Sequence, residues 1–553
     1  MWKRIALGLA VGLVLIAAFA WINRSELLLF VVANTGKQEV AAQTRTIAWS
    51  EGPVTPAPEG ERPPNIIFIL ADDLGINDIT VTGEGVAGGR VPTPALEKLA
   101  AQGAAFTQAY AGTASCAPSR AMIMTGRYPT RTGFEFTPTP PGMGRVVSLV
   151  SNADPNGRPK VIYDAQSAAD APPFADQGLP GGEVTVAEVL REAGYHTVHI
   201  GKWHLGRGPQ SNPNAQGFDE SLLMASGLYL PEDDPDVVNA KLDFDPIDKF
   251  LWARMDYAAS FNNGDWFRPG GYLTDYWTDE AVKVIEANRN RPFFLYLAHW
   301  GPHTPLQARK ADFEAVGEIE PHRLRVYAAM VRALDRSVGR VLDAVEEAGI
   351  ADNTVIVFSS DNGGAGYIGL QDVNAPYRGW KLTLFEGGIR VPLLVTWPGR
   401  IPAGTKVDAP VAHIDLMPTL AAAGGGSLPT DRMIDGVDLL PVATAASVTP
   451  PHERLFWQSA GYRVVREGDW KLQLGARSGL DPLLYDLARD PTEQRDVAAD
   501  YPAKVAELRR RIEEHERDAV APLYPHTIEA PITVDKTLAE TMHPGDMYIY
   551  WPN

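Results

Sequence analysis

Apolar residues in this chain follow two patterns. The first is the short unbroken run. Asn65-Ile66-Ile67-Phe68-Ile69-Leu70, Pro292–Leu297, Thr354–Phe358 and Val391–Trp397 show no polar alternation, and the briefer Thr197–Ile200 is a further strand candidate. Such runs predict strands buried on both faces, as in a parallel sheet. The second is helical spacing, found between the runs. Ala95–Ala101, Thr185–Ala193, Thr274–Ala287 and Asp415–Ala423 read as helices. So does Arg325–Glu347, where Val331, Leu334, Val338, Val341 and Val345 fall on one face. Ser119–Met124 opens a further helix after a loop rich in Gly, Ala and Ser. The alternation predicts an α/β fold: a large, mainly parallel sheet with helices on both faces.

The pattern changes after Thr449. Leu455–Gln458, Tyr462–Val465, Trp470–Leu474 and Leu483–Leu487 are short strand candidates separated by turn residues, as in an antiparallel meander. Pro502–Glu516 follows as an amphipathic helix through Val505, Leu508 and Ile512. Residues 450–553 are therefore a small C-terminal α+β subdomain and tail, and residues 64–449 the main domain. Two stretches lack periodicity. Residues 135–185 are rich in Pro and Gly and read as a long loop at the substrate entrance. Residues 207–271 read as irregular, with an acidic run (Glu232 to Asp245) expected on a solvated face and aromatics (Phe250, Trp252, Tyr257, Trp266, Phe267) expected to pack the insertion itself.

At the N-terminus Lys3 and Arg4 precede an apolar run, Ile5–Ile22, with Ala18-Phe19-Ala20 as a small-x-small cleavage site. Residues 1–35 read as a cleaved signal peptide or an uncleaved membrane anchor, and both imply export. Residues 36–63, rich in Pro, Gly, Thr and Glu, read as a flexible linker with no packed structure.

Length and charge narrow the function. A chain of 553 residues exceeds one compact core. A net charge of −18 argues against a nucleic-acid binder, and against a polyanionic substrate unless a local basic pocket receives it. The single cysteine, Cys116, forbids an intramolecular disulfide.

The unusual residues fall just past the predicted strands: Asp72-Asp73, Lys202 with His204, His303, and Asp361-Asn362. In an open α/β sheet such ends converge on one rim, where ligands bind. Adjacent carboxylates there are costly without a compensating cation. Asp72, Asp73, Asp361 and Asn362 offer only oxygen ligands, which suit Ca²⁺ or Mg²⁺. Arg120, Lys202 and Lys381 are cations suited to an oxyanion. His204 and His303 are candidate proton donors. Cys116 by itself reads as a small buried apolar residue; Pro118 and Arg120 beside it shift the reading, since the arginine can hold an anion.

The motifs resemble those of the type I sulfatases, within the alkaline phosphatase superfamily, across residues 64 to 520. They are Cys116-x-Pro118-x-Arg120 with Thr125-Gly126-Arg127, Ala71–Gly75, Gly201–Gly206, Pro302-His303, Ser360–Gly364, Gly379–Pro392, and Leu484–Leu487 with Asp490-Pro491 and Glu493. The resemblance implies hydrolysis of sulfate esters on an alkaline-phosphatase-like fold. It implies that Cys116 is oxidised to formylglycine, whose hydrate attacks sulfur and then expels sulfate. It implies Ca²⁺ (or Mg²⁺) at Asp72, Asp73, Asp361 and Asn362, with an oxygen of the residue at 116 completing the site. Arg120 would stabilise the hydrate, Lys202, His204 and Lys381 would bind sulfate, and His303 would give the leaving alcohol its proton. The implied partners are a sulfated small molecule or sugar, a formylglycine-generating or equivalent maturation enzyme and the export machinery, with no nucleic acid. The location expected is the periplasm, or the membrane with the main domain outside the cytoplasm. Two rivals stand beside this reading: a phosphoester or phosphonate monoester hydrolase on the same fold, and a catalytically silent anion-binding protein.

Overall fold

The computed structural model describes residues 2–22, 27, 39–55, 62–140, 142–153, 155–445, 447–475 and 482–553. Eleven strands build one twisted sheet: β1 (Val40–Thr44), β2 (Asn65–Ala71), β3 (Ala104–Phe106), β4 (His196–Gly201), β5 (Glu220–Gly227), β6 (Tyr257–Phe261), β7 (Trp266–Arg268), β8 (Phe293–Ala298), β9 (Thr354–Ser360), β10 (Leu393–Thr396) and β11 (Thr405–Val407). Their spatial order is β1-β7-β6-β5-β4-β8-β2-β9-β10-β3-β11. The centre, β5-β4-β8-β2-β9, is parallel throughout. Antiparallel pairs appear only on the flanks.

The unbroken apolar runs become these central strands because both faces are covered. Ile67, Ile69 and Ala71 face a core shared with helices Leu273–Asn288 and His322–Glu347. Ile66, Phe68 and Leu70 face the opposite core, shared with helices Cys116–Thr125, Val186–Glu192 and Leu416–Gly424. The second subdomain is the expected meander, Arg454–Ser459, Tyr462–Glu467, Trp470–Leu474 and Leu483–Asp486, covered by helix Pro502–Glu516 through Leu508 and Ile512.

Three expectations are corrected. Residues 40–50 do not form an unstructured linker. β1 pairs with β7, and Ile47 and Trp49 are buried in the main core. Trp49 Nε1 donates to Glu280 at 2.8 Å, and Ser50 N and Oγ donate to Glu220. Replacing Trp49 by alanine removes a buried ring and one of the two donors to Glu280, which keeps Lys283, so a loss of about 3 kcal/mol is expected, read as a lowered urea midpoint. Residues 207–271 are not irregular: they contribute β5, β6 and β7 to the main sheet, and their aromatics Phe250 and Phe267 are buried. Asp245, from the acidic run, is buried rather than solvated, and accepts from Ile247 N and Asp248 N to cap helix Pro246–Arg254. Residues 135–185 carry helices Met143–Ala153 and Ala165–Asp170 and a strand, Ile162–Tyr163, that pairs with the tail strand Ile528–Thr533.

Trp2–Ile22 is helical, and its described side chains Leu13, Val14 and Leu15 are exposed. Several of its side chains lie outside the described residues, as does most of 23–38. Among the described residues, no helix is long and apolar enough to cross a membrane.

Candidate active site

Register brings the unusual residues together. Ser360 pairs with Ala71 across β9 and β2, so Asp361 emerges beside Asp72. Ala298 of β8 pairs with Leu70 of β2 and Gly201 of β4, which places Lys202 and the His299–His303 loop on the same rim. Asp73 takes a left-handed φ of 61° as the chain leaves the strand. Helix Cys116–Thr125 sits against this rim, and every residue in it is buried. It begins three residues earlier than its sequence pattern indicates, because Ser115 is extended and a proline at position 118 is tolerated in a first turn.

Ligand atoms of Asp72, Asp73, Cys116 and His303 all lie within 4.8 Å of one another. Cys116 Sγ is 3.5 Å from Asp72 Oδ1 and 3.8 Å from Asp73 Oδ1. Three cations face three carboxylates. Lys202 Nζ is 2.5 Å from Asp72 Oδ2, Lys381 Nζ 2.7 Å from Asp73 Oδ1, and Arg120 Nη2 2.8 Å from Asp361 Oδ2. Arg120 also reaches Asp72 Oδ2 at 3.4 Å and donates to Lys202 O and Tyr296 Oη. Asn362 Nδ2 donates to Asp73 Oδ1 at 2.8 Å.

Electrostatics follow from this packing. Burial pushes the Asp73 carboxyl up, but Lys381, His303 and Lys202 outweigh it and hold the group well below the ordinary carboxylate range. Asp361 goes the other way, raised by burial and by Asp72 despite Arg120. Burial and the nearby Asp361 push the Cys116 thiol far up, so the unmodified side chain stays protonated and is a weak nucleophile. His303 Nδ1 lies 2.6 Å from Thr304 O; a carbonyl only accepts, so Nδ1 carries the proton and Nε2 faces Asp73 Oδ2 at 3.5 Å. Burial lowers the His303 pKa to about 3, so the ring is neutral. His204 is held neutral by burial and by Lys202 and Arg120, and its buried Nδ1 has no hydrogen-bond partner.

The site fits a hard cation. Beside the Cys116 thiol and the His303 ring it offers the carboxylate oxygens of Asp72 and Asp73, and Asn362 Oδ1, fully buried beside Asp73, has no hydrogen-bond partner. A buried acceptor left unpaired costs about 1–3 kcal/mol, and a cation at this oxygen removes that cost.

All ten sequence-derived candidates therefore reach one rim: nine are linked by direct contacts, and His204 stands beside them through its field. Sequence reading missed three supports. Tyr367 Oη donates to Asp73 Oδ2 at 2.6 Å. Trp300 stacks on His303 at 4.1 Å between ring centroids and lies under Lys202 Nζ at 4.6 Å, in space left by Gly227, where a Cβ would come within 2.3 Å of the indole. His413 joins Ser119 of the Cys116 helix, at 3.0 Å, to Ser359 of β9, at 3.1 Å. Gly227 was the single local hint, since a strand glycine marks a close approach.

Comparisons with known proteins agree with this geometry. The Sulfatase family profile matches residues 64–426, and the profile for the C-terminal region of N-sulphoglucosamine sulphohydrolase matches residues 379–518. N-acetylgalactosamine-6-sulfatase of Homo sapiens is 30% identical over 500 residues, covering 84% of this chain and 87% of that protein. Steryl-sulfatase of Mus musculus is 31% identical over 542 residues, covering 82% and 80%. The crystal structure of Ps i-CgsB in complex with k-i-k-neocarrahexaose superposes with a TM-score of 0.68 at 31% identity, covering 84% of this chain and 95% of that one.

Proposed function

Because this chain belongs to the sulfatase family and is a sulfuric ester hydrolase, we propose that it works through a formylglycine made from Cys116, with a divalent cation, Ca²⁺ in the first instance, held by Asp72, Asp73, Asp361 and Asn362. The observation that supports this most is the position of Cys116 Sγ, at the first turn of a buried helix and under 4 Å from two carboxylates. A thiol so placed is inert, and its value lies in what it becomes.

When present, the hydrated aldehyde supplies an oxygen nucleophile for sulfur and a second hydroxyl through which sulfate is expelled, and the cation supplies positive charge beside that oxygen. The chain's own residues do the rest. Arg120, fixed by Asp361 and Tyr296, holds the side chain at position 116 in place. Lys202, Lys381 and the neutral His204 bind the sulfate oxygens. The three cations balance three carboxylates, so a bound dication leaves the pocket positive, and an anionic ester is attracted. With Nδ1–H held on Thr304 O, the His303 ring gains a proton at Nε2 once the anionic ester is bound, and hands that proton to the leaving oxygen. The substrate is the sulfate ester of a small molecule or sugar. A maturation enzyme acts on Cys116, and the body lies outside the cytoplasm, in the periplasm or held at the membrane by the N-terminal segment, residues 1–35. Protease digestion of spheroplasts, together with the released periplasmic fraction, tests that location: a main domain found only inside protease-protected spheroplasts would overturn it.

The mass of the tryptic peptide Leu99–Arg120 tests the central proposal, on protein made together with a maturing enzyme. The expected mass is that of an aldehyde at position 116. An unmodified thiol in fully active protein overturns the mechanism. Turnover of aryl sulfate against aryl phosphate then separates sulfuryl from phosphoryl chemistry.

Two further outcomes are expected. His303→Ala lowers kcat about 10²-fold on alkyl sulfates and much less on p-nitrophenyl sulfate, whose leaving group needs no proton; equal losses on both would remove His303 from that role. Stripping divalent ions with a chelator lowers turnover by a comparable factor, about 10²-fold, and added Ca²⁺ restores it.

A further inference from the structure

A cleft of about 110 Å³, open to solvent, begins at the catalytic rim. Tyr367 and Lys381 line it, and both also touch Asp73, at 2.6 Å and 2.7 Å. Beyond these two residues the wall turns apolar, with Val161, Phe244, Ile247, Trp380, Ile532 and Leu538. A mostly apolar wall with a few polar groups at one end is the lining of a small-molecule site.

The charged groups on this wall beyond Lys381 already have partners. Lys536 Nζ lies 2.5 Å from Asp546 Oδ2 and donates to Thr541 O. Arg158 Nη2 donates to the carbonyls of Thr537, Leu538 and Glu540, which fastens the tail to the 143–161 insertion. Asp245 caps its own helix with both oxygens. Trp380 Nε1 is buried with no hydrogen-bond partner, one donor in an apolar surface. A second sulfate or a chain of hydroxyls would meet few partners here and would lose its hydration. A ring of carbon would lose nothing and release water from both surfaces.

We propose that this cleft receives the carbon skeleton of the sulfate ester and selects alcohols built on an apolar ring system over hydroxylated or anionic sugars. The assignment rests on the sulfatase reading above, because that reading puts the sulfur beside Lys381. Ile532 and Leu538, which close the far wall, lie in a tail beyond both matched family segments, residues 64–426 and 379–518. This chain's own tail and insertion thus furnish the selectivity.

The test uses the matured enzyme, three esters (umbelliferyl sulfate, methyl sulfate and a hexose sulfate) and free umbelliferone as a binding probe. Wild type is expected to prefer umbelliferyl sulfate to the hexose sulfate in kcat/KM. Ile532→Trp fills the cleft and is expected to raise KM for umbelliferyl sulfate by about 10- to 100-fold, far more than for methyl sulfate, and to weaken umbelliferone binding in parallel. Leu538→Phe, which narrows the same wall, gives the same ordering should the tryptophan variant not fold. A preference for the hexose sulfate, or variants that leave the umbelliferyl-to-methyl ratio unchanged, overturns the assignment. Umbelliferone binding keeps the two readings separate. If position 116 is a plain thiol and no ester turns over, the formylglycine mechanism has failed, and a fluorescence titration still decides the cleft: weakening by Ile532→Trp upholds it, and absent or unchanged binding overturns it.

Discussion

Cys116→Ser is expected to cut steady-state hydrolysis of an aryl sulfate by about 10⁴-fold or more while leaving the melting temperature nearly unchanged. The fold should tolerate the change. A serine hydroxyl is close to the size of the thiol and can donate to Asp72 Oδ1, which the thiol already approaches at 3.5 Å. The chemistry should not tolerate it. A serine oxygen can form one bond to sulfur as the alcohol leaves with a proton, but the resulting serine sulfate has no second hydroxyl through which to expel the group. The expected result is one equivalent of phenol released and a protein heavier by one sulfuryl group, found on the peptide Leu99–Arg120. Steady turnover near the wild-type rate would show that position 116 needs no aldehyde. The unmodified cysteine cannot substitute either: burial and Asp361 hold it protonated, against the opposing pull of Lys202 and Lys381.

Lys471→Met is expected to destabilise the protein by about 5 kcal/mol, although it lies in the other subdomain. Lys471, Glu386 and Glu493 are all 0% exposed, with Lys471 Nζ 2.9 Å from Glu386 and 3.0 Å from Glu493. Burial pushes Glu386 up, but Lys471 with Arg390 and Arg466 holds it down at about 2; Glu493 is raised to about 7 by burial, with Glu386 adding to it. Removing the lysine takes the shared cation from two buried carboxylates, leaving Glu386 to Arg390 and Glu493 to its amide donors. The damage should spread to catalysis. Glu493 Oε2 accepts from Glu386 N, and the Gly387-Gly388 segment that follows accepts Gly363 N at Gly388 O, next to Asn362. The approach is so close that a Cβ on Gly363 would sit 2.0 Å from Gly387 O. The double variant Lys471→Met/Glu493→Gln should recover a measurable part of the loss, because one of the two carboxylates that lost the lysine is then neutral. Strict additivity in urea melts would show that the three side chains do not act as a unit.

The central sheet, the long helices and the C-terminal meander were legible in the sequence because each depends on a local pattern. A strand buried on both faces must be apolar at every position, as Ile66–Leu70 is, and a long amphipathic helix must repeat its valines at helical spacing. The candidate site was legible for a related reason. Charged residues just past a buried strand are costly unless they function, so Asp72, Asp73, Lys202, Asp361 and Asn362 stood out from their flanks before any geometry was known.

What the tertiary structure alone decided depends on partners distant in sequence. β1 and Trp49 lie in a stretch whose Pro and Gly content reads as a spacer; β7 and Glu280, more than 200 residues on, make it part of the core. β6 and β7 are five and three residues long, too short for a period, and exist because β5 offers an edge. Tyr367 and His413 had no local signal and Trp300 only the strand glycine Gly227, since their roles consist of contacts with Asp73, Ser119 and Lys202 across the fold. The apolar cleft is of the same kind: an insertion, a helix cap and a chain terminus form it only once Ile528 has paired with Tyr163. Local composition determines which residues must be buried or compensated, whereas long-range register determines what they meet.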